Sequence, residues 1–253
     1  RDLFVHTGPL ADDGTLDAAL HPRAGWAVES LRAALPGVRV QAWLGQRVDP
    51  GRLDLDDAAT RENVLRAVDA VLRLGFDGVH YNFEPTPDGS RGLLTLLDAT
   101  RAVTAPRDAV LSLSSHHVDP LPGASHLDDL VIGRTKWWSA TYLTEVARRV
   151  DRIAIMSYDT ALPTAALYTG YVRRQTEVAL DAVPDGTDLL IGVPAYDEPD
   201  LTHRPSAETV AAAVRGVRLA LGPHRPDGFG IAVYVDFTAT EDDWRSYRDH
   251  WAG

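Results

Sequence analysis

Short apolar runs alternate with helix-period stretches along the whole chain. The runs at Leu3–Thr7, Val38–Leu44, Gly78–Glu84, Ala109–Ser115, Arg152–Tyr158, Asp188–Pro194 and Gly230–Asp236 are rich in β-formers and read as strands. Their starts lie roughly 30–45 residues apart, the spacing of repeated strand–helix units. Between them, Val64, Leu65, Val68, Val71 and Leu72 fall on one helical face. Leu143, Val146, Ala147 and Val150 make a second such stripe, and Val210, Ala213, Val214, Val217 and Leu221 a third. Ser90 and Thr240 are expected N-caps, the latter with Asp243 three residues on.

This alternation implies a parallel sheet with helices outside it. Regular spacing without a dinucleotide fingerprint favours a closed TIM (β/α)8-type barrel over a doubly wound sheet. Seven strands are legible, not eight; either the first lies upstream of Arg1 or one escapes the pattern. No linker divides the chain, so residues 1–253 are expected to form a single barrel domain. The Pro-rich segments Thr86–Asp88 and Pro194–Pro205 follow strands directly and are expected to be long loops on the active face.

One strand is unusual. Alternation over Gly78–Glu84 puts Val79, Tyr81 and Phe83 on one face and His80, Asn82 and Glu84 on the other. A polar row of that kind is expected to line a pocket. Glu84 ends it, at the strand C-terminus where barrels keep their chemistry. The other strand ends supply His6, Gln41, Trp43, Ser114, His116, His117, Met156, Tyr158, Asp159, Tyr196 and Tyr234. These are aromatics, carboxylates and amides, with almost no Lys or Arg. Such a set suits sugar rings, which have apolar faces and polar rims, and not phosphate.

Composition narrows the field further. A net charge of −11 argues against nucleic acid as partner. The absence of cysteine excludes disulfides, Cys-ligated zinc and thiol nucleophiles. No apolar run approaches the roughly 18 residues that a membrane span needs. The chain begins with Arg1, so it is expected to be a trimmed form with any targeting sequence upstream. His6, His80, His116 and His117 were natural candidates for metal ligation, but they form no His-x-His pair. His116 and His117 would also point to opposite faces of a strand, so neither metal nor cofactor is expected.

The segment Asp77-Gly78-Val79-His80-Tyr81-Asn82-Phe83-Glu84 resembles the fourth-strand signature of family 18 glycoside hydrolases, the chitinase-like barrels. That signature reads Asp-Gly-x-Asp-x-Asp-x-Glu. Met156-Ser157-Tyr158-Asp159 resembles the sixth-strand Met-x-Tyr-Asp, and Ile191-Gly192-Val193-Pro194-Ala195-Tyr196 the seventh-strand Gly-x-Pro-x-Tyr. Tyr234 stands where chitinases carry a tryptophan platform. The resemblance implies that the missing first strand lies upstream of Arg1. It also implies a glycosidase acting on a glycan that contains N-acetylhexosamine, of the chitin, peptidoglycan or N-glycan kind. Configuration would be retained by substrate assistance, an exception to the two-carboxylate scheme. On this resemblance Glu84 is the general acid/base, Asn82 orients the 2-acetamido group, and Tyr158 bonds the acetamido carbonyl. His80, Trp43, Met156, Asp159, Tyr196 and Tyr234 are expected to bind substrate. The acid role requires Glu84 to hold its proton near neutral pH, which burial favours.

His80 and Asn82 stand where the family has two inner aspartates. An amide still hydrogen-bonds an acetamido group, and the related family 85 endoglycosidases use an Asn-x-Glu pair. Two other readings stay open: a non-catalytic glycan-binding protein, and a glycosidase for a sugar without the acetamido group, with Asp159 assisting. The expected partner is an oligo- or polysaccharide met by a monomer, outside the cell or in a bacterial envelope. Asp77 is expected to hold the turn before its strand. Trp137-Trp138 fits either core or a binding surface.

Overall fold

A computed structural model describes residues 1–49, 51–120, 137–198 and 201–252. Pro199 and Asp200 of the expected loop Pro194–Pro205 lie outside the described residues. Seven strands have five residues or more: β1 (Asp2–His6), β2 (Arg39–Arg47), β3 (Gly78–Glu84), β4 (Val110–Ser115), β7 (Arg152–Met156), β8 (Asp188–Pro194) and β9 (Phe229–Tyr234). They are the seven strands the sequence predicts. Two short strands, β5 (His117–Val118) and β6 (Trp137–Trp138), were not expected. The helices that frame the sites are α2 (Ala58–Arg73), α3 (Arg91–Thr104), α4 (Ala140–Ala147), α5 (Ala165–Ala182), α6 (Val210–Leu221) and α7 (Glu241–Tyr247), after α1 (Ala24–Ala34).

Three strand ends differ from expectation by two residues or more, β9 closing at Tyr234 rather than Asp236. β2 runs on to Arg47 because β3 supplies partners as far as Glu84. β7 stops at Met156 rather than Tyr158, and Asp159 beyond it takes a positive φ of 59°, outside extended geometry.

The chain divides into two compact units. The first is built from Arg1–Ser114 and Glu145–Ile153. In it β1, β2, β3 and β4 lie parallel in that order. The alternation of β3 is observed. Tyr81 and Phe83 stack at 4.8 Å, and Tyr81 is hydrogen-bonded to Thr100 of α3 at 2.8 Å. On the opposite face His80 packs against Phe4 of β1 at 4.1 Å. Val64, Val68 and Val71 of α2 and Leu93, Leu96 and Leu97 of α3 are buried, as the helical stripe requires. Asp57 caps α2 by accepting the N–H groups of Ala59 and Thr60, and Ser90 caps α3 through Leu93. Asp77 does hold the start of β3. It accepts the Val40 N–H at 2.7 Å and pairs with Arg32.

Gly78 lies so close to β4 that a β-carbon would stand 2.1 Å from the Val110 carbonyl oxygen. Backbone cannot step aside as a side-chain tip can. Gly78→Ala is therefore expected to cost about 1–3 kcal/mol by overpacking. Urea unfolding measures it, and an unchanged midpoint would refute the close approach.

The second unit is built mainly from Ala154–Gly253. β8 and β9 pair in parallel from Leu189↔Phe229 to Pro194↔Tyr234. Val210, Ala213, Val214 and Val217 of α6 are buried, and Thr169 of α5 donates to the Ala212 carbonyl at 3.0 Å. Thr240 and Asp243 form the predicted capping box at α7. β5 pairs with β6, and Gln175 of α5 bonds both the N–H and the carbonyl of Val118 at 2.7 Å. Trp138 is 1% exposed and belongs to the core, while Trp137 donates to the Tyr171 hydroxyl. No helix among the described residues is long and apolar enough to cross a membrane.

Candidate active site

In the first unit the strand registers decide which side chains are neighbours. His6, Trp43, His80 and Ser112 stand in one row across β1 to β4. Asn82 is opposite Gly45, and Glu84 is opposite Arg47. Moving up β3, burial falls: His80 is 4% exposed, whereas Asn82 and Glu84 are each half-buried. The polar row therefore runs from core to mouth, with Glu84 at the C-terminal edge as predicted.

Asn82 sits in a notch. Its register neighbour Gly45 has no side chain. The Asn82 amide makes no hydrogen bond to another described residue, which leaves its donor and acceptor for a ligand or water. Arg47, beside Glu84 in register, turns its guanidinium onto Asp49, with Nε and Nη2 at 2.9 and 2.7 Å from Oδ2. Glu84 itself is anchored through its backbone, whose carbonyl accepts the Val48 N–H at 3.0 Å, and its peptide bond to Pro85 is cis. Trp43 is half-buried and meets His6 edge-on at 5.4 Å.

His80, which the sequence offered as a substrate contact, has both ring nitrogens engaged inside the unit. Nδ1 is 2.8 Å from the Ser112 hydroxyl and Nε2 is 2.9 Å from that of Ser114. Ser112 gives its one proton to the Gln41 side-chain oxygen at 2.7 Å. Its oxygen must then accept from His80, which puts the proton on Nδ1 and makes Nε2 the acceptor from Ser114. Gln41 in turn donates to Asp2 at 3.1 Å, and Asp2 pairs with Arg152 at 2.6 Å and Arg39 at 2.9 Å. Burial, with the Arg152 charge adding to it, pushes the His80 pKa down to about 3. The ring is a neutral link in a buried polar chain.

The second unit gathers the other motif residues. Tyr158 and Tyr234 stack face to face at 5.7 Å, and Tyr196 meets both edge-on at 6.1 and 5.9 Å. Gly192 permits this: a β-carbon there would come within 3.1 Å of the Tyr158 ring. The Tyr196 hydroxyl donates to Asp159 Oδ1 at 2.5 Å. Burial, with that bond and the Asp159 charge, raises the Tyr196 pKa far above the usual phenol range, so it stays a donor. Tyr158, Asp159, Tyr196 and Tyr234 are thus brought together as the motifs imply. Tyr234 is 37% exposed. Met156 is half-buried at the end of β7.

Two residues of this unit escaped the sequence reading. His203 stacks on Tyr196 at 4.2 Å, and its Nδ1 lies 3.2 Å from Asp159. Glu208 is fully buried and accepts the Thr160 N–H on both oxygens at 3.2 Å. His116 and His117, weighed as ligands, lie apart from this group. His116 packs against Trp138, and His117 bonds the Tyr171 hydroxyl at 2.7 Å.

No protein-family model matches the chain, and no curated protein matches it in sequence. Solved structures do. A chitinase from Chromobacterium violaceum ATCC 12472 superposes with a TM-score of 0.70 at 14% identity, covering 100% of this chain and 92% of that one. The spore cortex-lytic enzyme SleL of Bacillus megaterium QM B1551 gives 0.66 at 14% identity, covering 98% and 67%. A Group IV chitinase of Ostrinia furnacalis gives 0.55 at 18% identity; 77% of this chain covers 57% of that one. At such identities the likeness shows a shared fold, a TIM-like α/β architecture.

Proposed function

We propose that the protein is a glycosidase that cleaves a glycan containing N-acetylhexosamine, with Glu84 as general acid/base and Asn82 orienting the 2-acetamido group. The observation that carries this reading is the Asn82 amide: half-buried, without a protein partner among the described residues, and two residues before Glu84 on one strand face. The fold shared with chitinases and a cortex-lytic enzyme supports it.

Glu84 protonates the glycosidic oxygen as the bond to the anomeric carbon breaks. The acetamido carbonyl oxygen attacks that carbon and closes an oxazolinium ring. Water then opens the ring with Glu84 taking its proton, so two inversions give net retention. Asn82 accepts the acetamido N–H and aligns the carbonyl for attack. A neutral amide stabilises the cationic ring less than a carboxylate does, so turnover is slower than with aspartate. In the second unit, the tyrosines at 158, 196 and 234 form an aromatic, hydroxyl-rich surface of the kind that takes a sugar ring.

The test is a panel of chitin oligomers, peptidoglycan fragments and an N-glycan, with products read by proton NMR. One of them should be cleaved, releasing first the anomer with the configuration of the bond broken. A sugar thiazoline, which mimics the oxazoline, should inhibit competitively. Inertness towards the whole panel sinks the enzyme reading, and glycan binding by calorimetry without turnover replaces it with a lectin. Cleavage that the thiazoline does not inhibit sinks substrate assistance alone.

A further inference from the structure

The second unit holds a cluster of which the expected glycan site uses only Asp159. Asp159 after β7, His203 after β8 and Glu208 just before α6 each place one donor atom within 4.8 Å of the other two. His203 Nδ1 lies 3.2 Å from Asp159 Oδ1 and 3.6 Å from Glu208 Oε2.

The proton on His203 follows from its other nitrogen. Nε2 is 3.2 Å from the Tyr196 backbone carbonyl, which only accepts, so Nε2 carries a hydrogen. In the neutral ring Nδ1 is then a lone pair, and it faces two carboxylate oxygens. Three electron-rich atoms this close repel unless a cation lies among them. Solvent does little to screen them, because the His203 and Glu208 side chains are 1% and 0% exposed. A second observation points the same way. Tyr168 on α5 is fully buried, and its hydroxyl has no hydrogen-bond partner among the described residues. The charges of Glu208 and Asp159 act on that hydroxyl, so it stands in the field of the same cluster. An orphaned buried hydroxyl in that field fits a missing polar neighbour, such as a water held on a bound ion.

We propose that Asp159, His203 and Glu208 bind a divalent transition-metal ion in the second unit, with zinc the best fit and a water completing its coordination. One imidazole nitrogen with two carboxylate oxygens suits zinc and its neighbours, whereas calcium and magnesium prefer oxygen alone. Tetrahedral zinc with such ligands separates neighbouring donor atoms by about 3.3 Å, between the 3.2 and 3.6 Å seen here. The ligands are themselves held. The Tyr196 hydroxyl bonds Asp159, and the backbone N–H groups of Thr160 and Arg204 bond Glu208. The Asp159 side chain, 41% exposed, gives the ion a way in. Bound there, the ion ties the loop carrying Tyr158 to the loop carrying Tyr196. This inference stands independently of the glycosidase reading.

The test uses the full chain, stripped with a chelator and then titrated with zinc alone. Calorimetry should give one site per chain, and the melting temperature should rise by about 5 °C at a hundredfold excess over Kd. Cobalt in place of zinc should give visible d–d absorption. His203→Gln and Glu208→Gln should each weaken binding at least tenfold. Asp159→Asn, at the exposed ligand, is the arm to read if the buried variants unfold, with far-UV circular dichroism confirming its fold. A wild type that takes up no zinc at millimolar concentration overturns the proposal and leaves a proton as the cation on Nδ1. Zinc bound equally well by all three variants also overturns it.

Discussion

Glu84→Gln is expected to lower kcat on the cleaved glycan by ~100- to 10,000-fold, the usual worth of a general acid–base group. Glutamine matches glutamate in size and can keep a hydrogen bond to the glycosidic oxygen, but it has no proton to give up. Substrate affinity should therefore stay within a small factor of wild type while turnover collapses, the signature of an interaction made in the transition state. The fold should survive. β3 is held by its ladders to β2 and β4 and by the stacked Tyr81 and Phe83 beneath it, none of which needs the Glu84 carboxyl. Steady-state kinetics and calorimetry on one preparation separate the two effects. If the variant keeps more than about a tenth of wild-type turnover, Glu84 is not the acid. Asn82→Asp is the informative companion: it restores a negative charge beside the oxazolinium, and kcat should rise if the amide is the weaker clamp.

How much of this was legible in the chain depends on how local each feature is. β3 could be read to the residue because Gly78 and Pro85 bracket it and alternation fixes its faces. The caps at Ser90 and Thr240 were equally local, since a cap and its N–H partner lie three residues apart. His80 was not explicable from β3 alone. Its partners, Ser112 and Ser114, share one face of β4 at a spacing of two, so the hint lay in a second strand whose register no sequence pattern reveals. The Asp159–His203–Glu208 group was invisible for a stronger reason. Its members come from two loops and a helix entry, with no periodicity linking them, and meet only because the segment after β8 folds back on the loop after β7. The resemblance to the chitinase motifs found Tyr158, Asp159 and Tyr196 but had no position for the residues that hold them.

The second large effect concerns pH and stability. His80 in the folded protein has its pKa pushed down from 6.5 to about 3, first by burial and then by the Arg152 charge. In the unfolded chain it titrates normally, so between these values the unfolded state binds one more proton than the folded state. Stability is therefore fully present above pH 6.5 and is lost as the pH falls towards 3, by about 1.4 kcal/mol per unit and on the order of 5 kcal/mol over the window. His116, lowered to about 4 by burial, and His6, lowered by burial and then by His21, act in the same direction. The lowered Asp2 carboxylate stabilises the fold above its ordinary value of 3.8 and loses that contribution only as the pH falls below it, which leaves the range from pH 4 to 6.5 to the histidines. His80→Gln can keep bonds to both serines without taking up a proton, so it should flatten the plot of unfolding free energy against pH by about 1.4 kcal/mol per unit near pH 5. In the wild type the His80 ring resonances should not titrate above pH 4. A ring that titrates near 6.5, or a variant whose slope equals that of wild type, would show that the serine chain does not hold His80 neutral. The same neutrality bears on the proposed chemistry. A histidine that stays uncharged two residues below Asn82 adds no positive charge beneath the oxazolinium of the proposed chemistry.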